Sequence, residues 1–249
     1  MDQRLAAAGS ARTGPPETVR ERPWGTVLRA PTDRGVVWLK ACGRRTAHEA
    51  PLYTVLAEVA RARIPEPLGV EPERAWLLLA DGGPSVGERL AGEERTAAMC
   101  AALARYAQLQ RALAPHADRL VALGAPDMRP TVMPRRFEEA LDATRPSDAH
   151  PRLEAMREQV AAWCERLAAG PVPPSVDHND LHDRNVLGDG DEPRFYDWGD
   201  AVVAHPFASM LVPRSLAAPA EAARLTDAYL APWRDLAPRA VLDEALDLA

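Results

Sequence analysis

The chain has 249 residues and a formal net charge of −6 at pH 7, with 47% hydrophobic and 27% charged residues. A chain of this length buries a full core as one large domain or two lobes, and the composition is that of an ordinary globular protein. The acidic balance argues against nucleic acid as a main partner. The three cysteines are far apart and odd in number, which excludes a disulfide framework and a C-x-x-C metal site.

Membrane and targeting signals are missing from the sequence. No stretch approaches the roughly 18 apolar residues of a membrane span, and the first 15 residues contain no apolar signal core. We therefore expect no membrane partner and take a cytoplasmic location as the default. The oligomeric state stays open.

The N-terminal part of the chain alternates turn residues with short apolar runs. Residues 1–16 are small and polar, and they predict a loose, flexible terminus. Over residues 17–41, two strands joined by a turn at 31–35 predict a hairpin. Gly25 lies in the first of these strands, and Lys40 lies at the end of the second.

A helix is predicted between residues 46 and 62. It should begin near His48, because Pro51 is tolerated only in the first turn of a helix. Glu49 falls on the same face as the apolar residues of this helix, whereas Glu58 falls on the opposite face. Of the two carboxylates, Glu49 is therefore the one expected to face the interior.

The middle and the C-terminal part of the chain are expected to be mostly helical. Residues 75–79 predict a buried strand that ends at Leu79, and a turn containing Asp81 follows. Helices are predicted over residues 93–113, 152–168, 218–230 and 238–248. The apolar stripes of the first two helices are expected to be core.

The segment from Asp177 to Asp200 is a polar loop followed by a predicted hairpin, whose arms are 186–187 and 195–196 and whose turn is 188–191. Folding this hairpin should bring Asn185 beside Asp197, since opposed residues on paired strands are about 5 Å apart. An amide oxygen and a carboxylate at that separation can share a divalent cation, and hard oxygen ligands suit Mg²⁺.

The scarcity of lysine also points to a functional residue. Of the 30 basic residues, 29 are arginine, and Lys40 is the only lysine. Lysine is a compact point charge on a flexible stem, which arginine does not replace at a tight phosphate site. The retention of lysine at this one position therefore favours a functional role for Lys40.

Three features together resemble the aminoglycoside phosphotransferase or small-molecule kinase family. They are the spacing from His178 through Asp180 to Asn185, the triplet Asp197-Trp198-Gly199, and a strand ending in Lys40. The resemblance implies an α+β, two-lobed, protein-kinase-like fold. A small β-rich N-lobe would span residues 17–81, and a larger, mostly helical C-lobe would span residues 82–249.

The family also implies an activity, namely ATP- and Mg²⁺-dependent transfer of the γ-phosphate to a hydroxyl of a small molecule. By this resemblance Asp180 would be the catalytic base, and Asn185 and Asp197 would hold Mg²⁺ on the phosphates of ATP. The residues implied to bind ATP are Lys40, Glu49, Gly25, Leu79 and Asp81. Amino-sugars, amino-alcohols and antibiotic-like molecules are all open as acceptors.

Other interpretations compete with this one. His178 and His182 could suggest a transition-metal site, which normally needs a helix to align both rings. The acidic segment could instead be a surface turn without chemistry, and Glu49 a first-turn carboxylate favoured by the helix dipole. A catalytically silent nucleotide-binding module and a protein kinase are the functional alternatives. Because residues 246–249 end without a cap signal, the C-lobe is expected to be short at its C-terminus.

Overall fold

The computed structural model describes residues 1–145, 147–188 and 192–249. A five-stranded antiparallel sheet comes first along the chain, and the remainder is mostly helical. This is the α+β organisation that the family resemblance implies. The boundary between residues 81 and 82 stays a prediction.

The sheet has the strand order β1-β2-β3-β5-β4. Its strands are β1 (Glu17–Arg22), β2 (Gly25–Thr32), β3 (Gly35–Cys42), β4 (Pro67–Glu71) and β5 (Trp76–Ala80). β3 lies at the centre because its β-branched and aromatic residues suit a pleated, half-buried surface. Its register places Lys40 between Val27 of β2 and Leu77 of β5.

The first hairpin differs from the prediction. Two strands, β1 and β2, precede the turn into β3, where the sequence predicts one strand, and that turn is Asp33 and Arg34 only. β1 and β2 are separated by a turn at Pro23 and Trp24. Proline cannot donate to a strand ladder, so the chain reverses at this point. As a result Gly25 begins β2, paired with Arg22 and Cys42.

The N-terminal segment also differs from the loose terminus that its composition predicts. It contains helix α1 (Asp2–Ala7), and Leu5 is fully buried in a cluster with Val37 and Leu78. Ser10 then donates a hydrogen bond of 2.6 Å to Asp33. Burying the Leu5 side chain stabilises the folded segment by about 2 kcal/mol. The sequence does not predict this contact, because one apolar residue forms no periodic pattern.

Helix α2 (Glu49–Ala60) packs against β4 and connects the sheet to the helical part of the protein. It begins directly after His48, as predicted. Leu52 and Leu56 are fully buried on its inner face, and Glu49 is buried beside them. The first turn therefore places one carboxylate inside the protein.

The helical part is built around the long helix α4, whose residues Met99, Leu103, Tyr106 and Leu113 are buried as predicted. The helices are α3 (Val86–Arg89), α4 (Gly92–Leu113), α5 (Ala117–Ala122), α6 (Met133–Thr144), α7 (His150–Glu154), α8 (Arg157–Ala169), α9 (Leu211–Leu216), α10 (Pro219–Leu230) and α11 (Arg239–Leu248). None of the described helices is long and apolar enough to cross a membrane.

The predicted helix over residues 152–168 is divided in two. Helix α7 ends at Glu154, and α8 begins at Arg157, after a turn at Ala155 and Met156. Neither glycine nor proline marks this break, so the sequence carries no signal for it. The apolar residues before and after the turn therefore do not form one continuous stripe.

Two short antiparallel ladders hold the polar segment in place. β6 (Ser175–Asp177) pairs with β9 (Val202–Ala204), and β7 (Val186–Leu187) pairs with β8 (Arg194–Phe195). The second ladder is the predicted hairpin, with its second strand one residue earlier than the predicted 195–196. Of its predicted turn, residues 189–191 lie outside the described part of the chain.

Candidate active site

Lys40 lies between two carboxylates. Its ammonium nitrogen is 2.6 Å from Glu49 Oε2 and forms a second ion pair with Asp197 Oδ1. The Lys40 side chain is 13% exposed and that of Glu49 is 1% exposed, so this is a buried ionic group. The sheet, helix α2 and the segment after β8 each contribute one member.

The charges of this group stabilise one another. Burial works against the charged Lys40 ammonium, but Glu49 and Asp197 outweigh that effect and raise its pKa. Burial likewise opposes ionisation of Asp197, but Lys40 and Arg20 lower its pKa overall. Glu49 is the exception, because burial raises its pKa in spite of Lys40. Lys40 and Asp197 are therefore charged at neutral pH.

Glu49 also fixes the backbone around the Asp197-Trp198-Gly199 triplet. Its Oε1 accepts a hydrogen bond of 3.1 Å from the backbone N–H of Trp198. A Cβ added at Gly199 would lie 3.3 Å from Glu49 Oε2, so a side chain at this position would crowd the carboxylate. The triplet and the first turn of α2 consequently fit closely together.

Asp197 itself has a left-handed backbone, with φ of 62°. This conformation is uncommon for residues other than glycine and occurs most often with Asn and Asp. It directs the carboxylate toward Lys40 on one side and Arg20 on the other, the latter at 3.3 Å. Such local strain is tolerated where surrounding contacts determine the backbone, and it concentrates at functional sites.

A cavity of about 320 Å³ opens onto this charged group. Part of its wall is apolar, from β1, β2, β5 and β7: Val19, Val27, Leu79 and Leu187, and Glu88 also lines it. Asp81 also lines the cavity, and its carboxylate accepts hydrogen bonds from Trp38 Nε1 at 3.3 Å and from the N–H of Gly83 at 3.1 Å. An apolar slot that ends in fixed charges suits a ligand with a flat ring and an anionic tail.

Four of the five residues implied to bind ATP therefore share one cavity, and Gly25 does not. Lys40, Glu49, Leu79 and Asp81 all line it. Gly25 is not among its described lining residues, because it stands at the start of β2 beside Cys42.

Asp180 and Asn185 lie on the loop between β6 and β7. Asn185 Nδ2 donates a hydrogen bond of 2.8 Å to the Asp180 carbonyl oxygen and lies 3.2 Å from Asp180 Oδ2. The Asp180 side chain is 45% exposed, so a ligand can reach its carboxylate. The Asn185 carbonyl oxygen accepts a 3.3 Å hydrogen bond from Tyr196 N–H, which links this loop to the residue before Asp197.

The two histidines face different surroundings. His178 is fully buried against Trp198, with ring centroids 4.7 Å apart, and its Nε2 lies 2.9 Å from the Tyr196 carbonyl oxygen. His182 instead accepts a hydrogen bond from the N–H of Arg184 through Nδ1. Within the described residues, no group of three or more His, Cys, Asp or Glu side chains is arranged to hold a metal.

The residues predicted to hold Mg²⁺ offer suitable donors. Asp197 provides a carboxylate whose lowered pKa keeps it ionised. Asn185 engages Asp180 through its amide nitrogen, which leaves the amide oxygen as a hard ligand. Tyr196 connects the two, since it precedes Asp197 and contacts Asn185 through the backbone. Two oxygen donors together with phosphate oxygens and water are a common way for proteins to bind Mg²⁺.

A second cavity, of about 350 Å³, borders the loop between β6 and β7. Its lining includes Asn179, the residue directly before Asp180. Its walls are mainly apolar and come from α6, α8 and the segment before α6: Met128, Pro130, Met133, Val160, Trp163 and Leu167. The expectation that the stripe of the predicted helix 152–168 is core is wrong for Leu153, Met156, Val160 and Trp163, all only partly buried, and the last two face this cavity.

Sequence reasoning missed several residues of the site. Arg20, which contacts Asp197, is one of 29 arginines and stands on an exposed strand, so nothing in its neighbourhood marks it. Tyr196 lines the first cavity, but in the sequence it is only the last apolar residue of a hairpin arm. Their roles depend on contacts between distant segments.

Comparison with known proteins agrees with this geometry. The model of the phosphotransferase enzyme family (APH) matches residues 32–242. No curated protein matches the sequence.

Solved structures share the fold at low identity. A macrolide 2′-phosphotransferase from Brachybacterium faecium is 18% identical with a TM-score of 0.62, covering 100% of this chain and 88% of that one. An aminoglycoside-3′-phosphotransferase of type VIII is 24% identical with a TM-score of 0.58, at 100% and 98% coverage. The GDP and kanamycin complex of APH(2″)-IIIa is 12% identical with a TM-score of 0.60, at 96% and 82% coverage.

These structures establish the two-lobed, protein-kinase-like fold that the motifs imply. The family match extends over more than half of the sequence and includes Lys40, Asp180, Asn185 and Asp197. The chain therefore belongs to the phosphotransferase enzyme family.

Proposed function

We propose that the protein transfers the γ-phosphate of Mg²⁺-bound ATP to a hydroxyl group of a small molecule that has a large apolar surface. The observation that carries this proposal is the buried group of Lys40, Glu49 and Asp197 at the end of an apolar cavity. Asp180 lies on the adjoining loop, with a carboxylate accessible to a second ligand.

Lys40 would bind the phosphates of the nucleotide. Glu49 holds its ammonium from the buried side, so the stem has little freedom to leave the cavity. Arg20 adds a second cation at the same end of the cavity, where it contacts Asp197 from β1. When nucleotide and metal are bound, we expect Lys40 and Arg20 to exchange part of their contact with Asp197 for phosphate oxygens.

Asp197 and Asn185 would hold the metal ion. Mg²⁺, when bound, neutralises charge on the phosphates and orients them. The contribution of the protein is to keep one ionised carboxylate and one amide oxygen in place. The left-handed backbone of Asp197 and the hydrogen bonds of Asn185 to Asp180 serve this purpose.

Asp180 would accept or orient the proton of the acceptor hydroxyl. Asn185 contacts one carboxylate oxygen, Oδ2, and the backbone carbonyl of the same residue, which restricts how the side chain turns. The other carboxylate oxygen is then available to the acceptor. Phosphoryl transfer needs little from a protein beyond such positioning and charge neutralisation.

The second cavity would bind the acceptor. It begins at Asn179, beside Asp180, and its walls are formed by methionine, valine, leucine and tryptophan side chains of α6, α8 and neighbouring segments. A polycationic amino-sugar would gain little from such walls, whereas a macrocycle or another bulky apolar alcohol would bury its surface there. The fold neighbours include phosphotransferases named for macrolides and for aminoglycosides. The apolar lining of this cavity favours an acceptor of the macrolide kind.

The test is a steady-state assay of ADP release with three acceptor classes: macrolides, aminoglycosides and small amino-alcohols. We expect acceptor-dependent ADP release that is abolished by EDTA, restored by Mg²⁺, and highest with the apolar acceptors. ATP binding without acceptor-dependent release for any class would instead support a silent nucleotide-binding module. A clear preference for aminoglycosides would overturn the assignment of the acceptor class while preserving the reaction type.

A further inference from the structure

Asp177 is a buried carboxylate that the proposed chemistry does not use. It ends β6, three residues before Asp180, and is 3% exposed. Its Oδ1 accepts two hydrogen bonds, one of 2.5 Å from the Ser209 hydroxyl and one of 2.8 Å from the backbone N–H of Asn179. Burial raises the pKa of Asp177 in spite of these two donors. Burying a carboxylate is costly unless it is hydrogen-bonded, and these two bonds offset that cost.

The direction of the hydrogen bonds around Ser209 follows from Asp177. Ser209 donates its single hydroxyl proton to Asp177 Oδ1. Tyr106 O–H, 3.0 Å away, must then donate to Ser209 Oγ, and Gln110 Nε2 donates to the same oxygen at 3.0 Å. Tyr106 in turn accepts a hydrogen bond of 2.9 Å from the backbone N–H of His178.

This network therefore holds two consecutive backbone N–H groups of the catalytic loop. Tyr106 binds the N–H of His178, and Asp177 binds the N–H of Asn179. Asn179 has a left-handed backbone with φ of 60°, a conformation that needs support in a residue other than glycine. On the C-terminal side, the Asn185 amide donates a hydrogen bond to the backbone carbonyl oxygen of Asp180. Asp180 is thus fixed from both sides.

We propose that Asp177 and Ser209 form a positioning pair that sets the backbone of the catalytic loop and thereby the place of Asp180. This inference rests on the proposed role of Asp180 in phosphoryl transfer. Neither residue lines the cavity that contains Lys40, so the two residues would affect catalysis by positioning the loop. Asp177 also lines the second cavity, and direct binding of the acceptor by its carboxylate is the competing explanation.

The first variant to make is Asp177→Ala, which removes both hydrogen bonds. Displacing a catalytic group by about 1 Å can cost roughly a hundredfold in rate, so we expect kcat to fall by about tenfold to a hundredfold. The KM values for ATP and for the acceptor should stay within about threefold, because neither ligand loses a contact. A rise in the acceptor KM with unchanged kcat would overturn the positioning role in favour of direct binding.

A matched control is Tyr229→Phe. Tyr229 is also buried, and its hydroxyl hydrogen-bonds to Gln110, which belongs to the same network. Its other hydrogen-bond partner is the Pro206 carbonyl oxygen, so it bonds to no residue of the loop. It should lower the melting temperature and leave kcat unchanged. If Asp177→Ala and Tyr229→Phe lose stability and activity in the same proportion, the role of Asp177 is structural only and the proposal is wrong.

Exchanging donor and acceptor across the pair gives a test that does not depend on removing a group. Ser209→Asp alone places two carboxylates in contact and should reduce kcat by at least about tenfold, given the cost of burying like charges. Adding Asp177→Asn supplies an amide that donates to the new carboxylate and still accepts from the N–H of Asn179. Tyr106 and Gln110 keep an acceptor as well. We expect the double variant to recover most of the lost kcat.

Amide hydrogen exchange separates this inference from the proposed function. The N–H groups of His178 and Asn179 should exchange slowly in the wild type, faster in Asp177→Ala and Ser209→Asp, and slowly again in the double variant. If no acceptor is phosphorylated by the wild type, the proposed function fails although this exchange pattern holds. If the wild type is active while neither exchange nor kcat responds to the variants, the positioning pair is refuted.

Discussion

The two cavities described above are similar in volume, at about 320 and 350 Å³, and differ in chemistry. The first ends in a buried group of ions with fixed partners, in which Lys40 lies between Glu49 and Asp197. The second presents methionine, valine, leucine and tryptophan side chains. A phosphate group is recognised by charges that are held in place. An apolar acceptor is recognised by the apolar surface that it buries and by how well its shape fits the cavity. Substitutions should therefore have large, specific effects in the first cavity and graded effects in the second.

The largest effect is expected at Asp180, where the two ligands would meet. Asp180→Asn keeps the size of the side chain and removes its ability to take a proton. General-base catalysis contributes about a hundredfold to ten-thousandfold, and turnover should fall by that amount. Nucleotide affinity, measured by calorimetry, should stay near the wild-type value because Lys40 and Asp197 are untouched. Turnover within about tenfold of the wild type would exclude Asp180 as the base.

Lys40→Arg tests whether the charged cavity needs an ammonium or only a positive charge. The guanidinium is longer, planar and forked, so it does not fit between Glu49 and Asp197 as the ammonium does. Losing one such contact should cost about 2–4 kcal/mol in the transition state, a fall of roughly thirtyfold to nine-hundredfold in kcat/KM for ATP. Arg44→Lys, at an exposed position, is the matched control. Equal, near-wild-type kinetics in both variants would remove Lys40 from the site.

His205 lines the apolar cavity and should make the stability of the protein depend on pH. Burial lowers the pKa of His205 from its ordinary 6.5 to about 4. Between these values the unfolded chain binds a proton that the folded protein does not, so the free energy of unfolding falls as the pH drops through this window. The loss from this residue should be about 2 kcal/mol near pH 5.

The comparison variant is His205→Asn, which keeps an acceptor for the N–H of Phe207 and does not titrate. Urea unfolding at neutral pH and near pH 5 should show a smaller acid-induced loss of stability in the variant. An identical loss in both proteins would mean that His205 is protonated in the folded state as well.

The smallest effect is expected at Trp163, in the wall of the apolar cavity. Trp163→Ala removes area that a bulky acceptor would cover, at a cost of about 1–2 kcal/mol, and the acceptor KM should rise by roughly fivefold to thirtyfold. The KM for ATP should not change. Leu236→Ala, at a partly exposed apolar position outside this cavity, is the control. A rise in the ATP KM, or no change in the acceptor KM, would contradict the assignment of this cavity to the acceptor.

Much of the charged cavity was predictable because its residues carry local signals. Lys40 is the only lysine, Pro51 places the start of α2 near His48, and helical spacing selects Glu49 over Glu58. Lys40 and Glu49, which the family resemblance assigns to the same binding site, form an ion pair in the structure. The roles of these residues in binding stay predictions, and so does that of Gly25, which lies away from the cavity.

The remaining features depend on contacts that no local pattern encodes. Leu5 anchors α1 as a single apolar residue, and Pro23 turns the chain where a strand was predicted. The stripe of α8 has helical spacing whether it faces core or cavity, so periodicity could not show that Trp163 lines a cavity. Asp177 and Ser209 are 32 residues apart and meet only because β6 lies beside the segment after β9.

Direct observation of the product tests the central claim most closely. Wild-type protein, Mg²⁺-ATP and an apolar polyol acceptor such as a macrolide should be incubated together and followed by phosphorus NMR. We predict a phosphomonoester on one acceptor hydroxyl, formed in step with ADP. Release of ADP with inorganic phosphate alone, or phosphate found on the protein, would contradict transfer to a small-molecule hydroxyl.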